Sequence, residues 1–98
     1  MSSTRERFNE LVDEWKVDTL FESSVDAIIN HEAYQEIITL GEQAIPWIIE
    51  ELEVEIDHWF YALAKITGEN PVPEEEWGNM RKNQKTWVEW WKNRPNQS

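Results

Sequence analysis

The stretch that decides the fold runs from Gly41 to Gly68 and reads GEQAIPWIIEELEVEIDHWFYALAKITG. Its first half repeats apolar residues at helical spacing, and its second half is apolar around most of its circumference. Two short helices joined by a brief acidic connection predict an antiparallel helical hairpin, whose second helix is expected to be the most buried. Helix-terminating glycines stand at both ends. The apolar positions are Ile45, Ile48, Ile49 and Leu52, then Ile56, Trp59, Phe60, Leu63 and Ile66.

The chain before this stretch carries helical signals of its own. A first helix is predicted from Ser3 to Trp15, and Ser3 with Glu6 has capping-box spacing. Its apolar stripe consists of Phe8, Leu11, Val12 and Trp15. A further helix is predicted from Asn30 or His31 to Leu40.

The segment from residue 17 to residue 29 is harder to assign. Its first part, residues 17–24, is predicted to be a connector in which Leu20 and Phe21 dock on the core. The run Val25–Ile29 is too short for its period to separate helix from strand. The serine before it and the lack of a pairing partner favour a helical turn.

The chain after Gly68 begins with a proline-containing segment that must be extended or turning. Asn79 can cap a last helix that runs to about Asn93. Together these patterns predict an all-α fold, a compact bundle of four to five helices in a single domain spanning residues 1–98. Its parts are an N-terminal helix (1–16), a core (30–68) and a Trp-rich C-terminal helix (79–94).

The central stretch resembles a HEAT-like helical repeat. The residues that carry the resemblance are Leu40-Gly41, Ala44-Ile45-Pro46, Ile48 and Leu52 for the first helix, and Trp59, Ala62-Leu63 and Ile66-Thr67-Gly68 for the second. The range from His31 to Pro73 is also similar to small uncharacterised bacterial proteins that pair a HEAT-like unit with a Trp-containing C-terminal helix. HEAT-like units usually act as binding scaffolds, so the resemblance implies partner recognition. The chain has room for one or two repeats, so a compact globule is expected.

Charge is distributed unevenly along the chain. The net charge is −11, and it divides into −15 over residues 1–76 and +4 over residues 77–98. An acidic body argues against direct nucleic-acid binding, because phosphate contacts need cations. It leaves open a basic partner, imitation of a polyanion, or solubility alone. The basic C-terminal helix is expected to dock on the acidic body rather than on phosphates.

The sequence lacks the signatures of catalysis. It has no cysteine, its three glycines are too scattered for a phosphate-binding loop, and no serine stands in a nucleophile elbow. The only metal-like motif is Glu55-x-x-His58, which places both side chains on one helical face, and no second copy completes a bundle di-iron site. We therefore predict no enzyme activity, no cofactor and no metal; a sheltered carboxylate in a cleft is the one enzymatic alternative.

Localisation follows from what the sequence lacks. No apolar run could serve as a secretory signal or reach the about 18 residues of a membrane span. A cytoplasmic protein without membrane contact is expected.

The seven tryptophans are the most unusual feature of the composition. Trp59 and Trp87 are predicted to lie in the core and Trp47 at its rim. Trp90 and Trp91 point about 100° apart on a helix, so one is expected to face inward and the other the surface. Partly exposed aromatics beside arginine are typical of interface hot spots.

The resulting hypothesis is a non-enzymatic protein–protein interaction module with an acidic surface, from a bacterial or phage-like cytosol. The alternative is a small acidic inhibitor or antitoxin that blocks the nucleic-acid site of a basic partner. No oligomeric state is predicted. The candidate partner-binding residues are Trp47, Glu50, Glu51, Glu53, Glu55, Asp57, Trp90, Trp91 and Arg94.

Overall fold

Six α-helices form the part of the chain described by the computed structural model, residues 3–94. There is no β-strand in this range, so the all-α prediction is confirmed. The count rises to six because the segment 25–29, expected as a helical turn, forms a short helix. The helices are α1 (Thr4–Asp18), α2 (Val25–Ile29), α3 (Glu32–Thr39), α4 (Ile45–Val54), α5 (Phe60–Thr67) and α6 (Met80–Lys92), with 3-10 turns at Gly41–Ala44 and Glu74–Glu76.

Polar side chains cap the starts of four helices, and in α3 the cap is His31, whose Nδ1 accepts the Ala33 N–H at 3.0 Å. Ser3, Ser24 and Asn79 each accept the backbone N–H of the residue three positions later, at 3.1, 3.3 and 3.0 Å. Such N-cap bonds satisfy amide groups that have no partner inside the helix. The caps predicted at Ser3 and Asn79 are therefore confirmed.

The two predicted glycine stops are also present. Gly68 ends α5 in the left-handed conformation, with φ of 73°, and its N–H donates to the Ala64 carbonyl at 2.9 Å. Gly41 has φ of 76° and separates α3 from the 3-10 turn that leads into α4. A side chain would be strained at both positions, since only glycine adopts this conformation at little cost.

The core joins the apolar faces of all six helices. α3 packs against both α1 and α5, and α4 packs against α6. α4 and α5 contact each other less extensively than they contact these other helices. The fully buried side chains include Phe8, Leu11 and Trp15 of α1, Tyr34 and Ile37 of α3, Ile45, Ile48, Ile49 and Leu52 of α4, Leu63 of α5 and Trp87 of α6.

The prediction that α5 is the most buried helix is wrong. α4 buries four large apolar side chains, whereas α5 buries only Ala62 and Leu63. Phe60 and Ile66 are half-buried, and Tyr61 is 41% exposed. α5 contacts α3 most extensively and α4, α6 and the first 3-10 turn less, and Tyr61 and Lys65 on its remaining side reach the surface.

The tryptophans divide by position. Trp15, Trp59 and Trp87 are fully buried, which confirms the predictions for the last two. Trp47 is half-buried against the core, as expected of a rim residue. Trp90 and Trp91 are both half-buried, because each lies at an edge of the α6 stripe that packs on the core; neither is directed wholly outward.

Candidate functional site

Large apolar side chains are exposed where α1 connects to α2. Phe21 is 96% exposed and Leu20 is 69% exposed, so the prediction that both dock on the core is wrong. The reason is that α1 continues three residues past Trp15 and then closes in a turn, with the Thr19 N–H donating to the Trp15 carbonyl at 3.0 Å. This turn carries the two side chains beyond the end of the core.

Two depressions adjoin this connection and share His58. The first has a volume of about 300 Å³ and is polar and acidic; we call it the acidic depression. The second has a volume of about 230 Å³ and is lined by Val25, Ile29, His58, Phe60 and Tyr61; we call it the apolar depression. The acidic depression is lined by Lys16, Thr19, Leu20, Glu22, Ile28, Glu55, Asp57 and His58. We refer to both depressions with Leu20 and Phe21 as the connector face.

A buried hydrogen bond fixes one wall of the connector face. The Trp15 indole N–H donates to the Ile28 carbonyl at 2.9 Å. α2 has only five residues and would not be stable as an isolated helix. The bond ties it to α1, and Val25 and Ile29 are thereby held in place.

The opposite wall is fixed by Tyr34. Its hydroxyl donates to the His58 carbonyl at 2.8 Å and accepts the Ala62 N–H at 2.9 Å. α5 has no side-chain cap from Trp59, so this hydroxyl from α3 takes that role. Burial raises the pKa of Tyr34, which keeps the hydroxyl protonated and able to donate.

Both anchoring side chains belong to one aromatic cluster in the core. The rings of Trp15 and Tyr34 lie 5.2 Å apart, and Trp59 packs against each of them at 4.7 and 6.1 Å. The walls of the connector face therefore stand on a common rigid support, although the residues on them are exposed. Such a support lowers the entropy lost on binding.

The carboxylates of the acidic depression have no basic partner within residues 3–94. No side-chain nitrogen of a Lys, Arg or His in that range lies within 4.0 Å of a carboxylate oxygen of Glu22, Glu55 or Asp57. Glu22 and Asp57 each accept one backbone N–H, from Ser24 at 3.1 Å and from His58 at 2.8 Å. Lys16, the lysine in the lining, forms an ion pair with Glu51, with 3.2 Å between Lys16 Nζ and Glu51 Oε1. The depression therefore carries a local excess of negative charge.

The predicted partner-binding residues fall in several places. Trp47 and Glu50 both contact Arg5 of α1, whose guanidinium lies 2.8 Å from the Glu50 carboxylate and 5.3 Å from the Trp47 ring. Glu53 of α4 is paired with Lys92 of α6 at 3.7 Å. These two groups make contacts within the chain.

The C-terminal members of the set form a third group. The Arg94 guanidinium lies 4.6 Å from the Trp90 ring, and Trp91 packs against the core. Of the nine predicted residues, only Glu55 and Asp57 line the connector face. Glu51 does not line it but forms an ion pair with Lys16, which does. The structure thus does not bring the set together.

Sequence reasoning missed the apolar part of the connector face. The sequence predicts Leu20 and Phe21 to be buried because apolar residues most often are, and it predicts no binding role for Val25. A signal was available: the run Val17–Val25 contains four apolar residues without helical or strand periodicity, next to turn-forming Asp and Ser residues.

The helical premise of the metal-like motif is wrong. α4 ends at Val54 and α5 begins at Phe60, so Glu55 and His58 lie in a connection and not on one helical face. Within residues 3–94 no group of three or more His, Asp or Glu side chains is placed to hold a metal ion. His58 instead separates the two depressions.

Comparison of the chain with protein-family models, curated proteins and solved structures finds no match. None of the helices between residues 3 and 94 has the length and apolar character needed to cross a bilayer.

Proposed function

We propose that the protein is a non-enzymatic protein–protein interaction module and that its partner covers the connector face. The observation that carries this proposal is the exposure of Phe21 and Leu20, 96% and 69%, beside two depressions whose walls are hydrogen-bonded to buried Trp15 and Tyr34. Removing one such side chain from water contributes about 1.5–3 kcal/mol. Clustered exposed apolar groups on a small protein commonly mark interaction sites.

The shape of the depressions favours a protein partner over a small molecule. Small-molecule sites bury most of the ligand, whereas the two depressions, of about 300 and 230 Å³, open to the surface and adjoin at His58. One segment of a partner protein could place a side chain in each. The resemblance of residues 40–68 to a HEAT-like repeat, a unit that usually acts as a binding scaffold, supports the same proposal.

The experiment uses the tagged full-length protein as bait in extracts of the source organism. The double variant Leu20→Ser/Phe21→Ser should lose the bound partner, while Val54→Ser should retain it. Val54 is the matched control because it is 87% exposed and lines neither depression. If all three baits retain the same proteins in equal amounts, the connector face is not the interaction site.

A second candidate function is the acidic inhibitor. Two observations favour it: Glu22, Glu55 and Asp57 have no ion-pair partner among residues 3–94, and residues 1–76 carry a net charge of −15. On this alternative the complex weakens steeply with salt, and duplex DNA or RNA competes for the partner. If the complex is stable at high salt and nucleic acid does not compete for the partner, the acidic-inhibitor function is excluded. The interaction module is then the proposal that stands.

A further inference from the structure

We infer that the occupant of the connector face is a short basic segment of a partner protein, with an apolar side chain in the apolar depression and a neighbouring Lys or Arg in the acidic depression. This inference rests on the proposed function and specifies its ligand. The two depressions adjoin at His58, so side chains close together on one segment would fill both.

The apolar depression sets the first requirement. Val25, Ile29 and Phe60 line it, and Tyr61 adds an aromatic ring that is 41% exposed. A charged guest would be desolvated there without a partner, at a high cost. An aliphatic or aromatic side chain would instead gain from the removal of apolar surface from water.

The acidic depression sets the second requirement. It holds three carboxylates, from Glu22, Glu55 and Asp57, against one lysine that is already engaged by Glu51. Within residues 3–94 these carboxylates form no ion pair that a guest cation would have to displace, so the cation would gain charge-assisted hydrogen bonds. Arginine is favoured over lysine, because its planar guanidinium can bind a carboxylate through two parallel hydrogen bonds.

The charge distribution disfavours a second copy of this chain as the occupant. A two-fold dimer through the connector face would bring the same carboxylates of both copies together. Like charges opposed across an interface cost several kilocalories per mole. The exposed Phe21 is thus accompanied by charges that select against self-pairing and for a cationic partner.

The test is a selection from a random peptide library displayed on phage, using the immobilised full-length protein. Enriched peptides should carry Arg or Lys within a few positions of a large apolar residue. Selected peptides are then synthesised, and their dissociation constants are measured for four proteins: the wild type, Leu20→Ser/Phe21→Ser, Glu55→Gln/Asp57→Asn, and Glu74→Gln/Glu75→Gln.

The last variant is the matched control for charge. Glu74 and Glu75 are exposed, line neither depression, and their substitution changes the net charge by the same amount. We expect Glu55→Gln/Asp57→Asn to weaken binding by at least about threefold and Glu74→Gln/Glu75→Gln to change it less than about twofold, since only the first two carboxylates would pair with the guest cation and exposed ion pairs are individually weak.

The failure of this inference differs from the failure of the proposed function. Peptides that lack cations, or that bind Glu55→Gln/Asp57→Asn as tightly as the charge control, overturn the inference, while loss of binding in Leu20→Ser/Phe21→Ser still supports the interaction face. Peptides that bind Leu20→Ser/Phe21→Ser as tightly as the wild type overturn both. A selection that enriches no peptide overturns the inference; the bait experiment then decides the proposed function separately.

Discussion

Two neighbouring groups of acids differ in what they contact. Glu50, Glu51 and Glu53 lie on α4, and each is paired with a cation from another helix: Arg5, Lys16 and Lys92. Glu55 and Asp57 follow the end of α4, line the acidic depression and have no such partner within residues 3–94. The helix end at Val54 divides an internally compensated group from an uncompensated one.

The comparison shows that local acid density does not identify a binding surface. Each cation that pairs with α4 stands at least 35 positions away in the sequence. Pairing therefore depends on how α1 and α6 pack against α4. An acid can pair with a partner's cation most easily where packing leaves it without one, and between residues 50 and 57 that occurs beyond the end of α4.

The largest expected effect tests the division at the end of α4. Leu52 is fully buried, whereas Val54, two residues later, is 87% exposed. We expect Leu52→Ala to reduce the free energy of unfolding by about 2–5 kcal/mol, because it leaves a cavity in the core. Val54→Ala should change it by less than about 0.5 kcal/mol. Urea denaturation measures both changes. Equal losses of stability would contradict the assignment of Leu52 to the buried face of α4 and Val54 to the exposed end.

A smaller effect is expected from loosening the support beneath the uncompensated acids. Tyr34→Phe leaves the His58 carbonyl and the Ala62 N–H without the hydroxyl that they share. We expect a loss of about 1–3 kcal/mol in unfolding free energy. Hydrogen exchange should accelerate at the Ala62 amide while amides of α4 change only with global stability. Tyr61→Phe is the control, and unchanged exchange at Ala62 in Tyr34→Phe would contradict the capping role.

The pH dependence of stability above neutrality tests the contribution of the same Tyr34 hydroxyl. Burial raises the pKa of Tyr34 in the folded state above the pKa of about 10 in the unfolded state. The contribution of the protonated hydroxyl to the free energy of unfolding is therefore complete below about pH 10 and is lost as the pH rises further. One such group can change the free energy of unfolding by at most about 1.4 kcal/mol per pH unit. Above about pH 10, Tyr34→Phe should lose stability less steeply than the wild type. Parallel pH curves for the two proteins would exclude this contribution.

The smallest effects compare the two acid groups directly. Glu51→Gln removes the pair with Lys16 and should cost about 0–1 kcal/mol at low salt. Glu55→Gln should be neutral or slightly stabilising, because it removes an uncompensated charge from an acidic surface. Both differences should shrink in high salt, measured by urea denaturation at two ionic strengths. A larger loss for Glu55→Gln than for Glu51→Gln would reverse the comparison.

Local features of the fold were predictable from the sequence. Capping residues at Ser3 and Asn79, the glycine stop at Gly68 and the apolar stripes of α1 and α4 all depend on residues close together in the chain. The directions of Leu20 and Phe21 were not predictable in this way. They depend on α1 continuing to Asp18, which no composition rule distinguishes from an earlier stop.

The candidate site was predictable only in part. Glu55 and Asp57 were identified by their charge, but the assumed helix through His58 is a connection. Trp47, Glu50 and Glu53 are predicted to bind a partner from their residue types, but they contact Arg5 and Lys92 of distant helices within the chain. Tertiary packing decides these contacts, and a single sequence contains no direct record of it.

The close approach of Trp15 and Trp59 has a spectroscopic consequence. Their ring centres are 4.7 Å apart and the ring planes are inclined by 53°, so the two indole transitions couple in a fixed chiral arrangement. This coupling produces an exciton couplet in the far-ultraviolet circular dichroism spectrum, superimposed on the helical bands. Helix content taken from that spectrum would therefore be distorted, whereas the couplet itself would give a label-free signal of intact aromatic packing.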